Sequence, residues 1–187
     1  MPRPNWFIAF PLDAGFMLSL PALPPGFLRY APEDVHLTLA FLGACGEVGA
    51  ERAWHAFESE LPNAGLRPFD VTLGEVKGFG SRRPYSTLSA TIVEGREQAV
   101  AALAREGDLT MAASGRRSKR VPTPHVSLAR VRGRATEGRF EAGLAWARGL
   151  DLREVRLRLD RIALYTWTPM RRERLFRIVA ERPLAPK

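Results

Sequence analysis

Apolar and polar positions alternate with a period of two over much of this chain. The alternation is clearest at 152–167, where Val155, Leu157 and Leu159 interleave with Arg156, Arg158 and Asp160. Period two places successive side chains on opposite faces of an extended strand. The parity flips at Asp160-Arg161, so Ile162 and Leu164 belong to a second strand. Residues 68–78 alternate through Phe69, Val71 and Leu73 and resume at Val76. That pattern predicts a strand with a bulge at Gly74. Residues 85–93 predict its hairpin partner, and 173–182 pairs likewise with the strand before it through the turn at Thr168-Pro169-Met170. Residues 5–12 read as an apolar strand. The segment 13–29, punctuated by Pro21, Pro24 and Pro25, is irregular, with room for a short helix at 13–20.

Three stretches change to helical spacing. Residues 47–61 carry apolar side chains at 50, 53, 54, 57 and 61, with Pro62 as the stop. Residues 95–106 are apolar at 99, 100, 102 and 103, with Gly107 just past the end, and 135–148 places Phe140, Leu144 and Ala147 on one side. Residues 108–120 show no clear period. Strands joined by hairpins and accompanied by three helices predict an α+β architecture.

Two further strands, 35–42 and 124–131, carry the candidate chemistry. His36-Leu37-Thr38-Leu39 and His125-Val126-Ser127-Leu128 share one order: His, apolar, hydroxyl, Leu. Each follows a proline-bearing turn (31–34 and 121–124). Strand parity puts His36 with Thr38 on one face and Leu37 with Leu39 on the other. The same holds for His125 with Ser127. At ordinary composition a histidine precedes such a pattern roughly one time in 30. Two of the three histidines do so here, about half a chain apart. The third, His55, lies in a helical stretch and reads as a surface residue.

Composition narrows the setting. The chain has 187 residues, 45% of them apolar, enough to bury a sizeable core. No uninterrupted apolar run is long enough to span a bilayer, and the first apolar run is cut by Pro11 and Asp13, unlike a signal peptide. A cytoplasmic protein is expected. Cys45 is the single cysteine, which excludes an internal disulfide and a cysteine-based zinc site. The net charge is +8, almost all from arginine, a balance that suits an anionic partner and equally an arginine-rich composition. Two basic stretches, Arg82-Arg83 and residues 116–120, are candidate contacts for a phosphodiester backbone.

With PEDVHLTLAFLG at 32–43 and PHVSLARV at 124–131, the chain resembles the 2H phosphoesterase superfamily. Within it, the chain looks like the bacterial and archaeal RNA 2′,3′-cyclic phosphodiesterases, also called 2′-5′ RNA ligases. The resemblance implies one bilobal, pseudo-symmetric domain, with one His motif per lobe. It further implies two mainly antiparallel sheets facing a central cleft, with helices outside. The usual pattern has threonine in both motifs; Ser127 keeps the hydroxyl. His36 and His125 are then the expected catalytic pair, with Thr38 and Ser127 as phosphate ligands. The expected partner is RNA ending in a 2′,3′-cyclic phosphate, met by a monomer without cofactor, metal or membrane.

In this reading His125 is the base on water and His36 the acid to the leaving O3′, giving a 2′-phosphate. A 5′-hydroxyl in place of water gives ATP-independent 2′-5′ ligation. Arg130 is a candidate RNA ligand; strict alternation puts it on the Leu128 face, and it needs a strand end or bulge to reach the cleft. Tyr30, Phe79 and Tyr85 are candidate stacking aromatics. Three rivals stay open: a related enzyme acting on a small cyclic nucleotide, a non-catalytic RNA-binding module, and an unrelated α+β protein in which the histidines are structural.

Overall fold

The computed structural model describes residues 3–61, 65–80, 84–119, 123–133, 136–169 and 174–185. Within them the chain forms a nine-stranded sheet: β1 (Trp6–Pro11), β2 (Phe27–Arg29), β3 (His36–Gly43), β4 (Phe69–Phe79), β5 (Thr87–Ile92), β6 (His125–Val131), β7 (Arg156–Leu159), β8 (Arg161–Trp167) and β9 (Phe176–Pro183). The described α-helices are α1 (Gly46–Glu60), α2 (Arg96–Leu103), α3 (Glu106–Ser114) and α4 (Glu137–Arg148), and short 3-10 helices cover Gly15–Ser19 and Pro32–Asp34. The strand order is β7-β4-β5-β6-β3-β1-β8-β9, with β2 paired to β6 off this path. All the strand pairings are antiparallel. This is the expected antiparallel α+β architecture.

The two halves of the sheet meet at one residue pair. Leu37 of β3 faces Val126 of β6, and among the described residues no other pair joins these strands. The reason is β2, which takes the rest of that edge of β6: Phe27, Leu28 and Arg29 pair with Val131, Arg130 and Ala129, and the Tyr30 N–H donates to the Leu128 carbonyl. The β2 strand lies inside the segment expected to be irregular. At three residues it is too short to show periodicity. The halves also draw on different parts of the chain. One takes β1 and β3 with the C-terminal β8 and β9; the other takes β4 to β7 from the middle.

The helices cover one face of the sheet. Ile8, Phe10, Leu37, Leu39, Leu73, Leu88, Val126 and Leu128 pack there with Ala53, Phe57, Ala102, Leu109, Phe140 and Ala147. The opposite face holds a smaller cluster of Phe7, Ala9, Ala163 and Tyr165, with Phe176 and Ile178 against it. Strand β1 is therefore apolar on both faces and buried along its length.

Several expectations meet the structure directly. The strand break at Asp160 and the hairpins β4–β5 and β8–β9 are present. The β4 register shifts between Leu73 and Val76, around Gly74. A Cβ on Gly74 would lie 2.5 Å from Val93 Cγ2 and 2.8 Å from Thr91 Oγ1, so only glycine fits the bulge without movement. The helical expectation at 95–106 needs correction. Helix α2 stops at Leu103, and Gly107 lies inside α3, which runs through residues read as having no clear period. Its buried side chains (Glu106, Leu109, Thr110, Ala113) mix polar with apolar groups, which hid the helical period from a hydrophobicity count. Among the described residues no helix is long and apolar enough to cross a membrane.

Candidate active site

Strands β3 and β6 are adjacent and antiparallel, so the Leu37–Val126 pair fixes what faces the cleft. Leu37 and Val126 point into the helix-side core, fully buried. Their neighbours point the other way. The register sets His36 across from Ser127 and Thr38 across from His125. The two imidazoles thus occupy one diagonal of a four-residue plaque, and the two hydroxyls occupy the other. Diagonal neighbours on paired strands lie roughly 7–8 Å apart. That span leaves room for a phosphate between them. All four side chains are half-buried, while the intervening Leu37, Leu39, Val126 and Leu128 are buried.

Each histidine is held in the same way. The His36 Nδ1–H donates to the Asp34 carbonyl at 2.7 Å, and the His125 Nδ1–H donates to the Thr123 carbonyl at 2.7 Å. A carbonyl oxygen only accepts, so the proton must reside on Nδ1. In both rings Nε2 is left for the cleft, as a base when neutral and as an acid when protonated. Each ring also lies on a phenylalanine: His36 on Phe7, with centroids 4.7 Å apart, and His125 on Phe79, at 4.6 Å.

The surroundings of the two rings then diverge. His36 rests in the aromatic cluster, with the Phe176 ring T-shaped to it and the Tyr165 ring tilted, each centroid 5.5 Å from that of His36. Burial there lowers its pKa to about 4, more than its hydrogen bond to the Asp34 carbonyl raises it, and the charge of His125 lowers it further. Beside His125 the strand face is hydroxylic. Ser127 Oγ lies 3.0 Å from Ser89 Oγ, and Ser89 Oγ–H donates to Thr87 Oγ1 at 3.3 Å. Ser89 is fully buried, so this chain fixes the orientation of Ser127 from beneath.

Two cavities adjoin across this plaque. The larger, about 620 Å³, is walled by His125, Phe79, Phe41, Thr87, Leu103 and Glu106. The smaller, about 260 Å³, is walled by His36, Tyr30, Arg130, Trp167, Phe176 and Asn5. Thr38, Phe41 and Ser127 line both.

Arg130 therefore reaches the histidine side of the sheet, against the expectation from strict alternation. The cause is a bulge. Ser89 pairs with Ser127 but Leu88 pairs with Ala129, so Leu128 is an extra residue in β6 and the parity flips after it. The first motif does the same. Ala9 pairs with Thr38 but Ile8 pairs with Ala40, which makes Leu39 the extra residue in β3. The flip turns Phe41, 40% exposed, into the cleft. Phe41 and Arg130 are thus equivalent positions of the two motifs, five residues after each histidine. Sequence reasoning had no hold on Phe41, although the Leu-Ala pair that follows both hydroxyl residues was visible.

The remaining candidates separate. Phe79 and Tyr30 line the cavities. Tyr85 does not: it is buried, and its hydroxyl donates to the Phe140 carbonyl at 2.6 Å. His55 is exposed on α1, near Glu58 at 3.5 Å, a surface residue as expected. Burial pushes the Cys45 thiol up, against reactivity. Arg82, Arg83 and Arg120 of the two basic stretches lie outside the described residues, as do Val121, Pro122 and Met170 of the expected turns. In the second stretch Arg117 pairs with Asp108, and Ser118 donates to Glu106 at 3.3 Å, on the wall of the larger cavity.

The two His-hydroxyl pairs thus lie side by side on the adjacent strands β3 and β6 of one antiparallel sheet. The chain belongs to the 2′-5′ RNA ligase superfamily (2H phosphoesterases), whose family model matches residues 24–169. No curated protein matches the chain. Solved structures share its fold. Escherichia coli LigT in complex with 3′-AMP superposes with a TM-score of 0.69 at 16% identity, covering 98% of this chain and 99% of that one. TT0787 of Thermus thermophilus gives 0.65 at 20% identity over the same shares. A structure described as a phosphoesterase gives 0.69 at 17% identity, again over 98% and 99%.

Proposed function

We propose that this protein is an RNA 2′,3′-cyclic phosphodiesterase. The observation that supports the reading is the plaque itself: two imidazoles on one diagonal, two hydroxyls on the other, and each Nδ1 bonded to a main-chain carbonyl, which leaves Nε2 for the chemistry. In-line displacement at phosphorus needs a base and an acid on opposite sides of the phosphate. Water attacks phosphorus as His125 Nε2 takes its proton. The P–O3′ bond breaks, and His36 Nε2–H protonates the leaving O3′. The products are a 2′-phosphate and a free 3′-hydroxyl. Thr38 donates to a non-bridging oxygen, where charge builds in the transition state, and Ser127 does the same once Ser89 Oγ–H turns from Thr87 to donate to Ser127 Oγ and frees the Ser127 proton. Each histidine contributes a factor of about 10² to 10⁴. Run in reverse with a 5′-hydroxyl, the same groups exchange roles and join ends through a 2′-5′ linkage. In this proposal each half of the sheet is one lobe of a single domain and supplies one His-hydroxyl pair.

The adjoining cavities and Arg130 favour a polynucleotide end over a small cyclic nucleotide. The E. coli relative's complex with 3′-AMP also supports a nucleotide ligand for this cleft. The test is incubation of the EDTA-treated protein with a short RNA ending in a 2′,3′-cyclic phosphate, followed by analysis of the terminus. Conversion to a 2′-phosphate is expected. A 3′-phosphate product would reverse the leaving oxygen. Turnover of small cyclic nucleotides alone would replace RNA as the substrate, and binding without turnover would leave an RNA-binding module.

A further inference from the structure

The two histidines are anchored alike through Nδ1, but what lies behind each anchor differs. His125 leans on the carbonyl of Thr123, an exposed residue. His36 leans on the carbonyl of Asp34, whose side chain is buried, the residue only 2% exposed. A buried carboxylate has to be satisfied by donors, and this one is satisfied from far along the chain. Asp34 Oδ2 accepts the Leu175 N–H at 2.8 Å, and Oδ1 accepts the Phe176 N–H at 3.0 Å. The Arg174 guanidinium adds its charge, with Nε 3.8 Å from Oδ1. One residue therefore clasps the start of β9 through its side chain and the His36 ring through its main chain. The peptide so clasped carries Phe176, whose ring edge faces the His36 imidazole.

We infer that Asp34 is a positioning residue for His36: its carboxylate locks the first residues of β9 against the turn that sets the imidazole tautomer. Two contacts on His36 depend on this clasp. The Asp34 carbonyl keeps the proton on Nδ1, and the Phe176 ring walls the imidazole from the side. Phe7 supports the ring from β1 without any link to Asp34. Nothing comparable holds His125 among the described residues. The ionisable groups around His36 are Asp34, Arg174 and Tyr165 on its own side, and His125 and Arg130 from β6. None of the other four contacts Nδ1, so tautomer control rests with the Asp34 turn. As far as turnover is concerned, the inference rests on the two-histidine function proposed above.

Asp34→Ala removes both acceptors. Nitrogen-15 spectra of the histidine rings report the tautomer directly and need no substrate. Wild-type His36 should show the Nδ1–H form, and Asp34→Ala should show a mixture, with His125 unchanged. Turnover should fall at least about tenfold in kcat, as expected when a reacting group is displaced, with KM within about twofold. Asp34→Asn keeps one acceptor oxygen and should rescue part of both effects; if the alanine variant does not fold, the asparagine variant is read in its place. Phe176→Leu leaves the clasp whole and removes only the wall, so it should keep the Nδ1–H tautomer. A folded Asp34 variant with the wild-type His36 tautomer and wild-type kcat overturns the inference, whatever its melting temperature. An Asp34-dependent tautomer in a protein that turns over no cyclic phosphate removes the proposed function and leaves the clasp standing.

Discussion

At the scale of single residues, the two histidines are anchored alike and bedded differently. His36 is bedded in aromatic rings, and burial holds its pKa at about 4, so it is neutral in the free protein at pH 7. Acting as the acid, it must gain its proton together with the anionic phosphate, whose charge favours imidazolium. Binding is then coupled to proton uptake, and affinity rises as pH falls through the neutral range toward about 4. Calorimetry with a non-cleavable phosphodiester of fixed charge, in buffers of different ionisation enthalpy, should detect that proton. Binding without proton uptake would remove His36 as the acid. For the pair as a whole, His36→Ala or His125→Ala should cut kcat by about 10² to 10⁴ and leave the circular dichroism spectrum unchanged. Activity retained in both single variants would remove the two-histidine mechanism.

At the scale of elements, the informative features are the bulges. One extra residue in β3 and one in β6 flip the parity of each motif strand. Without them, Phe41 and Arg130 would face the helix-side core, where an arginine has no place. With them, one cavity wall becomes an aromatic ring and the other a guanidinium. Arg130→Gln should raise KM for the RNA end about 10- to 100-fold and leave kcat nearly unchanged, the expected loss of one or two charge-assisted hydrogen bonds. A fall in kcat with KM held would place Arg130 on the reacting phosphate instead. The β3–β6 contact is the narrowest seam in the sheet, carried by Leu37 and Val126. Leu37→Ala empties a fully buried position and should cost about 2–5 kcal/mol in urea unfolding. Because the plaque spans that seam, this variant should also lose activity under conditions where it is still folded.

For the whole molecule, the notable point is how the two halves are assembled. The half that holds His36 is closed by β8, paired to β1, and β9, paired to β8, and Asp34 ties the start of β9 to the turn before β3. The half that holds His125 takes β4 to β7 from one stretch of the chain, with β2 added on the edge of β6. The matched geometry of the two motifs thus arises from unlike chain paths. Helices shield one face of the sheet, leaving the other for the cleft.

Local physics made much of this legible from the amino-acid order. Alternation and apolar runs located every described strand except β2 to within a few residues, including the break at Asp160, because strand faces are written directly into period two. The same parity paired each histidine with its hydroxyl. What that parity could not reveal was non-local. Only strand pairing shows where a residue is inserted, so parity leaves Arg130 dependent on a bulge it cannot locate and gives no sign of Phe41. Only packing gives His36 its aromatic bed and its lowered pKa, since Phe7, Tyr165 and Phe176 lie far from it along the chain. The clasp of Asp34 on Leu175 and Phe176 spans 141 and 142 residues of sequence. A sequence records which groups are available; which of them meet is decided when the sheet closes and buried polar atoms must find partners.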